Sequence, residues 1–120
     1  KAMWDDDGHR RSDTVAIAPQ QLAAAAGFSI PADRRFIIVR GDGIGKQHLF
    51  SGEKLTTLLA VYSYRGFDQA LDMMRAVYEV GGKGHSCGIY SFDPDHIHRL
   101  AMAAPAAREA SDSSRQNWGR

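Results

Sequence analysis

The pattern of hydrophobic and polar positions in the middle of the chain predicts a β-strand followed by a helix. Residues 56–62 are almost continuously apolar or β-branched, which is typical of a strand covered on both faces. The period then changes, and Gly81 and Gly82 end a helix-like stretch, because glycine is common just after a helical C-terminus. Within that stretch the apolar residues recur on one helical face: Ala70, Leu71, Met74, Val77 and Tyr78.

The next stretch predicts a second strand and a second helix. Residues 85–91 form the strand candidate, and residues 93–105 carry an apolar helical stripe. Asp93 is a good N-cap for this helix, and Pro94 is a good first residue. Strands that are separated by a crossover helix imply a parallel pair. The predicted fold class is therefore α/β, with a parallel strand-helix-strand-helix layer.

Before this layer the chain predicts a short helix and another short strand. The helix begins near Pro19 and ends at Gly27. Residues 34–39 form a short apolar, β-branched run that favours a strand. Residues 1–14 are mostly polar and charged and predict an irregular lead-in.

Composition and charge restrict the classes of protein that fit. The chain has 120 residues, of which 43% are hydrophobic, enough for one small domain with a single core. Its formal charge of +1 gives no electrostatic reason to expect nucleic acid or an anionic membrane as a partner. No apolar run approaches the length of a membrane span, and a single cysteine cannot close an intrachain disulfide. We therefore expect a cytoplasmic protein.

Cys87, the only cysteine, has two interpretations. It follows His85 by two residues, so both side chains share one face of the predicted strand. A thiolate activated by that histidine would make the chain a compact cysteine enzyme. Ile89 lies on the same face, however, and free cysteine is among the most buried residue types. These two observations favour a structural cysteine.

Two further groups of residues have the composition of a ligand site but not its spacing. The glycine-rich residues 41–46 lack the spacing of a phosphate-binding loop and the helix that should follow, so they predict a tight turn. The histidines are either isolated in sequence or point to different sides of a helix. We expect them to be solvated and expect no metal site: His9, His48, His96 and His98.

Glu53 stands beside Gly52 at the mouth of the strand predicted over residues 56–62. An ionised carboxylate there can accept two hydrogen bonds from vicinal hydroxyls, such as those of a ribose. The alternative is an exposed loop glutamate beside Lys54, and spacing alone favours that alternative.

Three motifs follow one another after residue 52. They are Glu53 with Leu55 before an apolar strand, an ALxMMR helix at residues 70–75, and a GHS turn at residues 84–86 that leads into a strand. In this order they resemble the aldehyde dehydrogenase superfamily, and within it the acylating, coenzyme A-dependent branch that includes sulfoacetaldehyde dehydrogenases. With its lead-in, the resemblance covers about residues 2–105.

The resemblance implies that residues 1–105 are part of an aldehyde dehydrogenase catalytic domain. Such enzymes oxidise an aldehyde through a cysteine thiohemiacetal, pass hydride to NAD or NADP, and transfer the acyl group to coenzyme A. It implies that Glu53 binds the hydroxyls of the nicotinamide ribose and that Leu55 packs near the nicotinamide. His85 and Ser86 would shape the turn near the pocket.

The resemblance also implies what this chain does not supply. It assigns no catalytic residue and no metal ligand here, because the family's nucleophilic cysteine and its Rossmann part belong to other segments. The implied partners are a small-molecule aldehyde, with sulfoacetaldehyde as one candidate, and further copies in a full-length homo-oligomer. Residues 106–120 depart from the family pattern, and we expect them to be a disordered or non-native tail from a truncated or frame-shifted reading, without a further strand.

Two other hypotheses stand beside an incomplete enzyme. The chain could be a small non-enzymatic α/β module that binds a partner through an unpaired sheet edge. It could also be the compact cysteine enzyme described above. If the chain is part of a larger enzyme, we expect it to expose apolar surface where the other segments pack.

Overall fold

The computed structural model describes residues 2–84, 86–104 and 108–111. The chain divides into two compact units, Lys1–Ser63 and Tyr64–Arg120. Among the described residues, no helix combines the length and the apolar character needed to cross a membrane.

The first unit contains one helix and a pair of parallel strands. Helix α1 (Pro19–Ala25) starts at the predicted proline, and the side chain of Gln21 accepts a hydrogen bond from the Ala18 amide at 3.1 Å. Gly27 follows the helix with φ of +86°, a conformation that favours glycine, so the predicted helix end is confirmed. Two short 3-10 turns, Ser12–Thr14 and Leu49–Ser51, lie in the loops.

Strands β1 (Ile37–Arg40) and β2 (Leu58–Val61) pair in parallel, with Ile37 opposite Leu58. Residues 41–57 connect them without a helix of their own other than the second 3-10 turn. The buried core of this unit is built from Met3, Leu22 and Leu58, and five partly buried residues pack against it: Trp4, Ile17, Ile37, Val39 and Phe50.

The opposite face of the β1–β2 pair is apolar and exposed. Because side chains alternate along a strand, the residues next to the core-facing positions point away from the core. About half of the surface of each of these residues is exposed: Phe36, Ile38, Leu59 and Val61. Residues 56–62 were predicted to form a strand covered on both faces, but the described part of the unit covers only one face of β2 and leaves Leu59 and Val61 about half exposed.

The second unit contains α2 (Phe67–Gly81), β3 (Ser86–Ile89), α3 (Pro94–Ala103) and β4 (Arg108–Ser111). Strands β3 and β4 pair in parallel across the crossover helix α3. Helix α2 buries Leu71 and Tyr78 from its predicted apolar stripe. Asp93 caps α3 as predicted, since its carboxylate accepts the Asp95 amide at 2.9 Å.

Two features of the fold differ from those predicted from the sequence. The strands expected to pair with each other across α2 do not do so in the described residues: β2 pairs with β1, and β3 pairs with β4. A helix between two strands favours a parallel arrangement but does not decide which strands become neighbours. A strand also forms at Arg108–Ser111, where none was predicted, because a parallel edge supplies hydrogen bonds that weak local propensity does not reveal. Residues 106–107 and 112–120 of the predicted tail lie outside the described residues.

The adjacent leucines of β2 test which face of the pair is the core. We expect Leu58→Ala, at a position only 7% exposed, to lower the free energy of unfolding by about 2–4 kcal/mol, since it leaves a cavity beside Met3 and Leu22. Leu59→Ala, at a position 51% exposed, should cost less than about 1 kcal/mol. Urea denaturation of both variants measures this, and equal costs would show that the second face is buried too.

Candidate functional site

Glu53 and Leu55 lie in the connection that leads into β2, which begins at Leu58. The strand starts two residues later than predicted, so Glu53 belongs to a loop and not to the strand mouth. Glu53 is exposed and has no hydrogen bond or ion pair with any residue in the described ranges. Leu55 is 58% exposed and has φ of +47°, a strained conformation for leucine.

Lys54, between these two residues, points back into its own loop. Its Nζ donates hydrogen bonds to the carbonyls of Phe50 at 2.9 Å and Gly52 at 2.8 Å. The side chain is partly withdrawn from solvent, and this burial lowers the pKa of the Lys54 amine. The loop therefore wraps around this lysine, and the side chains on either side of it are left exposed.

Arg10 holds the same loop from outside. Its Nε and one terminal nitrogen both donate to the Lys54 carbonyl, at 3.0 and 2.9 Å. Its other bonds reach the carbonyls of Met3 at 2.9 Å, Arg11 at 2.8 Å and Thr14 at 2.8 Å, together with the buried Thr14 hydroxyl. The sequence analysis missed this residue, because it treated residues 1–14 as an irregular lead-in.

Two further hydrogen bonds continue the attachment toward β2. The Ala16 amide donates to the Leu55 carbonyl at 2.8 Å, and the Thr57 hydroxyl donates to the Ile17 carbonyl at 3.1 Å. Ala16 also has a positive φ, of 56°. Two strained residues thus face each other across one bond, and the hydrogen bonds around them keep both in place.

At the C-terminal end of the β1–β2 pair, polar side chains pack against glycines. The Asp42 carboxylate lies 3.2 Å from His48 Nδ1, and the His48 ring covers Gly43 so closely that a Cβ there would overlap it. The ring of Tyr62 lies on Gly41 in the same way. The tight turn predicted at residues 41–46 lies later in the chain, since the His48 amide donates to the Gly45 carbonyl at 2.9 Å and closes a turn over residues 45–48. His48 is not the isolated, solvated histidine that was predicted, because it is half-buried beside Asp42.

The Tyr62 hydroxyl is buried and has no hydrogen-bond partner among the described residues. Burial, and to a lesser extent the nearby charge of Asp42, raises the pKa of this phenol. An unpaired buried hydroxyl is a net cost to the fold, so its ring and not its oxygen explains the fit against Gly41.

In the second unit, Cys87 is half-buried. Its Sγ lies 3.8 Å from the Met74 sulfur. Burial raises the pKa of the neighbouring Tyr78 phenol, and Cys87 adds to the shift. These contacts agree with the interpretation of Cys87 as a structural residue. His85 lies outside the described residues, so its predicted relation to Cys87 and to Ser86 stays a prediction.

Of the remaining histidines, His9 and His98 are exposed, as predicted, whereas His96 contacts a second helix. His96 stacks on Phe67 with 4.0 Å between ring centroids, which ties α3 to α2. Asp5, Asp7 and His9 bring three exposed ligand atoms within 4.8 Å of one another. Exposed groups of this kind are common without a metal ion, and nothing else in the structure points to one at this place.

Comparison with known proteins identifies where such a segment occurs. No protein-family model matches the chain. It is 35% identical over 108 residues to an acylating sulfoacetaldehyde dehydrogenase from Cupriavidus necator, which covers 88% of this chain. It is 28% identical over 102 residues, or 85% of this chain, to an acetylating succinate-semialdehyde dehydrogenase from Clostridium kluyveri.

Solved structures give the same answer for the fold. An acetylating aldehyde dehydrogenase from Geobacillus thermoglucosidasius matches 92% of this chain with a TM-score of 0.85 and 33% identity. The predicted α/β class with parallel strands is therefore confirmed, as is the resemblance to the acylating branch. The chain spans only about a quarter of the proteins it matches, 22% of each of the two relatives and 24% of the solved structure.

The unpaired hydroxyl of Tyr62 gives a test of this end of the site. We expect Tyr62→Phe to leave the free energy of unfolding at pH 7 unchanged or to raise it by about 1 kcal/mol, because it removes a buried group without a partner. Tyr64→Phe, at an exposed position, is the matched control and should have no effect.

The pH dependence of the same variant follows from the raised pKa. A phenol with a raised pKa in the folded chain contributes stability that is complete below its unfolded pKa of about 10 and is lost as pH rises through the folded value. Tyr62→Phe should therefore unfold less readily above pH 10 than the parent chain. Denaturation curves at about pH 7 and about pH 10.5 measure this. If the free energy of unfolding falls equally in the two chains between these pH values, Tyr62 is not buried.

Proposed function

We propose that this chain, which is homologous to one segment of acylating aldehyde dehydrogenases, forms the nicotinamide-facing part of an enzyme that oxidises an aldehyde to its acyl-CoA. The observation that carries the proposal is the anchored loop that presents Glu53 and Leu55 to solvent. An exposed carboxylate and an exposed apolar side chain, both on a fixed backbone, are what a dinucleotide needs from this position.

The residues present fit a nicotinamide nucleotide. Both oxygens of the Glu53 carboxylate are available, since no group in the described part of the chain binds them. A carboxylate can accept one hydrogen bond from each of two vicinal ribose hydroxyls. When bound, the nicotinamide would supply the hydride acceptor.

In this proposal the chain's own residues orient and shield the reaction. Glu53 fixes the ribose and so limits the positions that the attached ring can take. Leu55, two residues on, packs against the ring and excludes water from one side of it. The proposal takes the nucleophilic cysteine from another segment, as the family resemblance implies, and gives the half-buried Cys87, whose Sγ lies 3.8 Å from the Met74 sulfur, a structural role.

The finer parts of the proposal rest on the relatives and on composition. We propose sulfoacetaldehyde as the first aldehyde to test, since the Cupriavidus relative carries that name. We further propose NAD or NADP as hydride acceptor, coenzyme A as co-substrate, a homo-oligomeric full-length protein and a cytoplasmic location. The exposed face of the β1–β2 pair also suits a non-enzymatic interaction module, but segments like the remaining three quarters of the relatives can cover it equally well.

A hybrid enzyme tests the proposal. In it, residues 2–104 of this chain replace the matching segment of the Cupriavidus relative, and reduction of NAD and of NADP is followed with sulfoacetaldehyde and coenzyme A. We expect turnover with at least one of the two nucleotides. A folded hybrid without turnover on either would contradict the proposal.

Within the hybrid, Glu53→Gln should raise the KM for the nicotinamide nucleotide roughly tenfold to a hundredfold, because hydrogen bonds to a charged carboxylate are replaced by weaker neutral ones. Glu79→Gln is the matched control, since Glu79 pairs with Lys83 on the surface of α2. If the two substitutions change the KM equally, Glu53 does not bind the nucleotide.

A further inference from the structure

We infer that Arg10 is the positioning residue of the cofactor-facing loop: by holding the Lys54 carbonyl, it sets how Glu53 and Leu55 are presented. The cofactor role of the loop rests on the proposed function, but the contacts of Arg10 all lie within the first unit. No sequence motif singles this arginine out.

The bonds of Arg10 fall on the peptide between the two proposed cofactor contacts. Two of its nitrogens converge on the single carbonyl of Lys54, at 3.0 and 2.9 Å. The Lys54 amine is already occupied by the carbonyls of Phe50 and Gly52, so it is fixed from the other side. Lys54, between Glu53 and Leu55, is therefore held through both its side chain and its backbone carbonyl.

The acceptors of Arg10 indicate that it positions backbone and does not neutralise a charge. All six of its hydrogen bonds go to neutral oxygens, and none goes to a carboxylate. A half-buried guanidinium without a carboxylate in contact carries a desolvation cost, and burial accordingly lowers its pKa. Only a planar fork of five donors reaches this many carbonyls at once, so lysine cannot replace it fully.

The strained backbone at Leu55 explains why the loop has to be held by Arg10. A leucine at φ of +47° relaxes toward ordinary backbone angles unless its surroundings prevent it. The Leu55 carbonyl is held by the Ala16 amide at 2.8 Å, and Ala16 follows the Arg10–Thr14 segment by two residues. Loss of the arginine should therefore loosen both the Lys54 and the Leu55 carbonyls, while the strand pair behind them stays formed.

The experiment uses the full chain and two local readouts. The first is the rate of tryptic cleavage after Lys54, measured against cleavage after Lys46 in the neighbouring loop. The second is hydrogen exchange of the Ala16 amide, bonded to Leu55, measured against the Gly41 amide, which donates to Val61 at 2.9 Å. The variants are Arg10→Ala, Arg10→Lys and the matched control Arg11→Ala, since the Arg11 side chain bonds to Asp13 at the surface.

We expect Arg10→Ala to speed cleavage after Lys54 and exchange at Ala16 by about tenfold or more, with the Lys46 and Gly41 references unchanged. Arg10→Lys should recover part of the protection, and Arg11→Ala should resemble the parent. Equal behaviour of Arg10→Ala and Arg11→Ala would overturn the inference. Equal acceleration at Ala16 and Gly41 would overturn it as well, because Arg10 would then only support the fold.

Neither readout involves a nucleotide, so the two proposals fail separately. If the loop loosens in Arg10→Ala as expected but the hybrid enzyme binds no nucleotide, the proposed function is refuted and the positioning role of Arg10 stands. If the loop stays rigid in Arg10→Ala, the positioning role of Arg10 is refuted, and the kinetics of the hybrid enzyme still test the proposed function.

Discussion

A parallel strand pair requires a connection that returns the chain to the edge where the first strand began, and this constraint governs the first unit. Strands β1 and β2 meet it with residues 41–57, a connection without an α-helix. Where no helix fixes such a connection, side chains must hold its backbone in place. Lys54 does so from within and Arg10 from the lead-in, and the proposed cofactor contacts are the side chains left exposed between them.

The same arrangement relates stability to function in this chain. The buried core of Met3, Leu22 and Leu58 holds the lead-in, α1 and β2 together, which places Arg10 within reach of the loop. The other face of the strand pair stays apolar and exposed, as expected where further segments of a larger protein would pack. A chain that spans about a quarter of the proteins it matches can thus have a fixed site residue and an uncovered sheet face at once.

The parts that could be predicted from the sequence are those with local signals. The period of α2, the Asp93 cap and the glycine after α1 each depend on neighbouring residues, and each is confirmed. The start of β2, the partner of each strand and the strand at Arg108–Ser111 depend on distant hydrogen bonds, which leave no periodic pattern. Arg10 was missed for the same reason, since all but one of its hydrogen bonds go to backbone carbonyls, which any sequence provides. Glu53 was a candidate from its position, but spacing alone favoured an exposed loop residue; the family resemblance selected it and added Leu55, and the binding role of both stays a prediction.

The account depends most directly on where the Glu53 carboxylate lies when a nicotinamide nucleotide is bound. A crystal structure of the hybrid enzyme with NAD or NADP measures this. The account predicts Glu53 oxygens within about 2.5–3.0 Å of both hydroxyls of the nicotinamide ribose, with Lys54 still bound to Arg10 through its carbonyl. A ribose held by residues of another segment, with Glu53 directed into solvent, would contradict it.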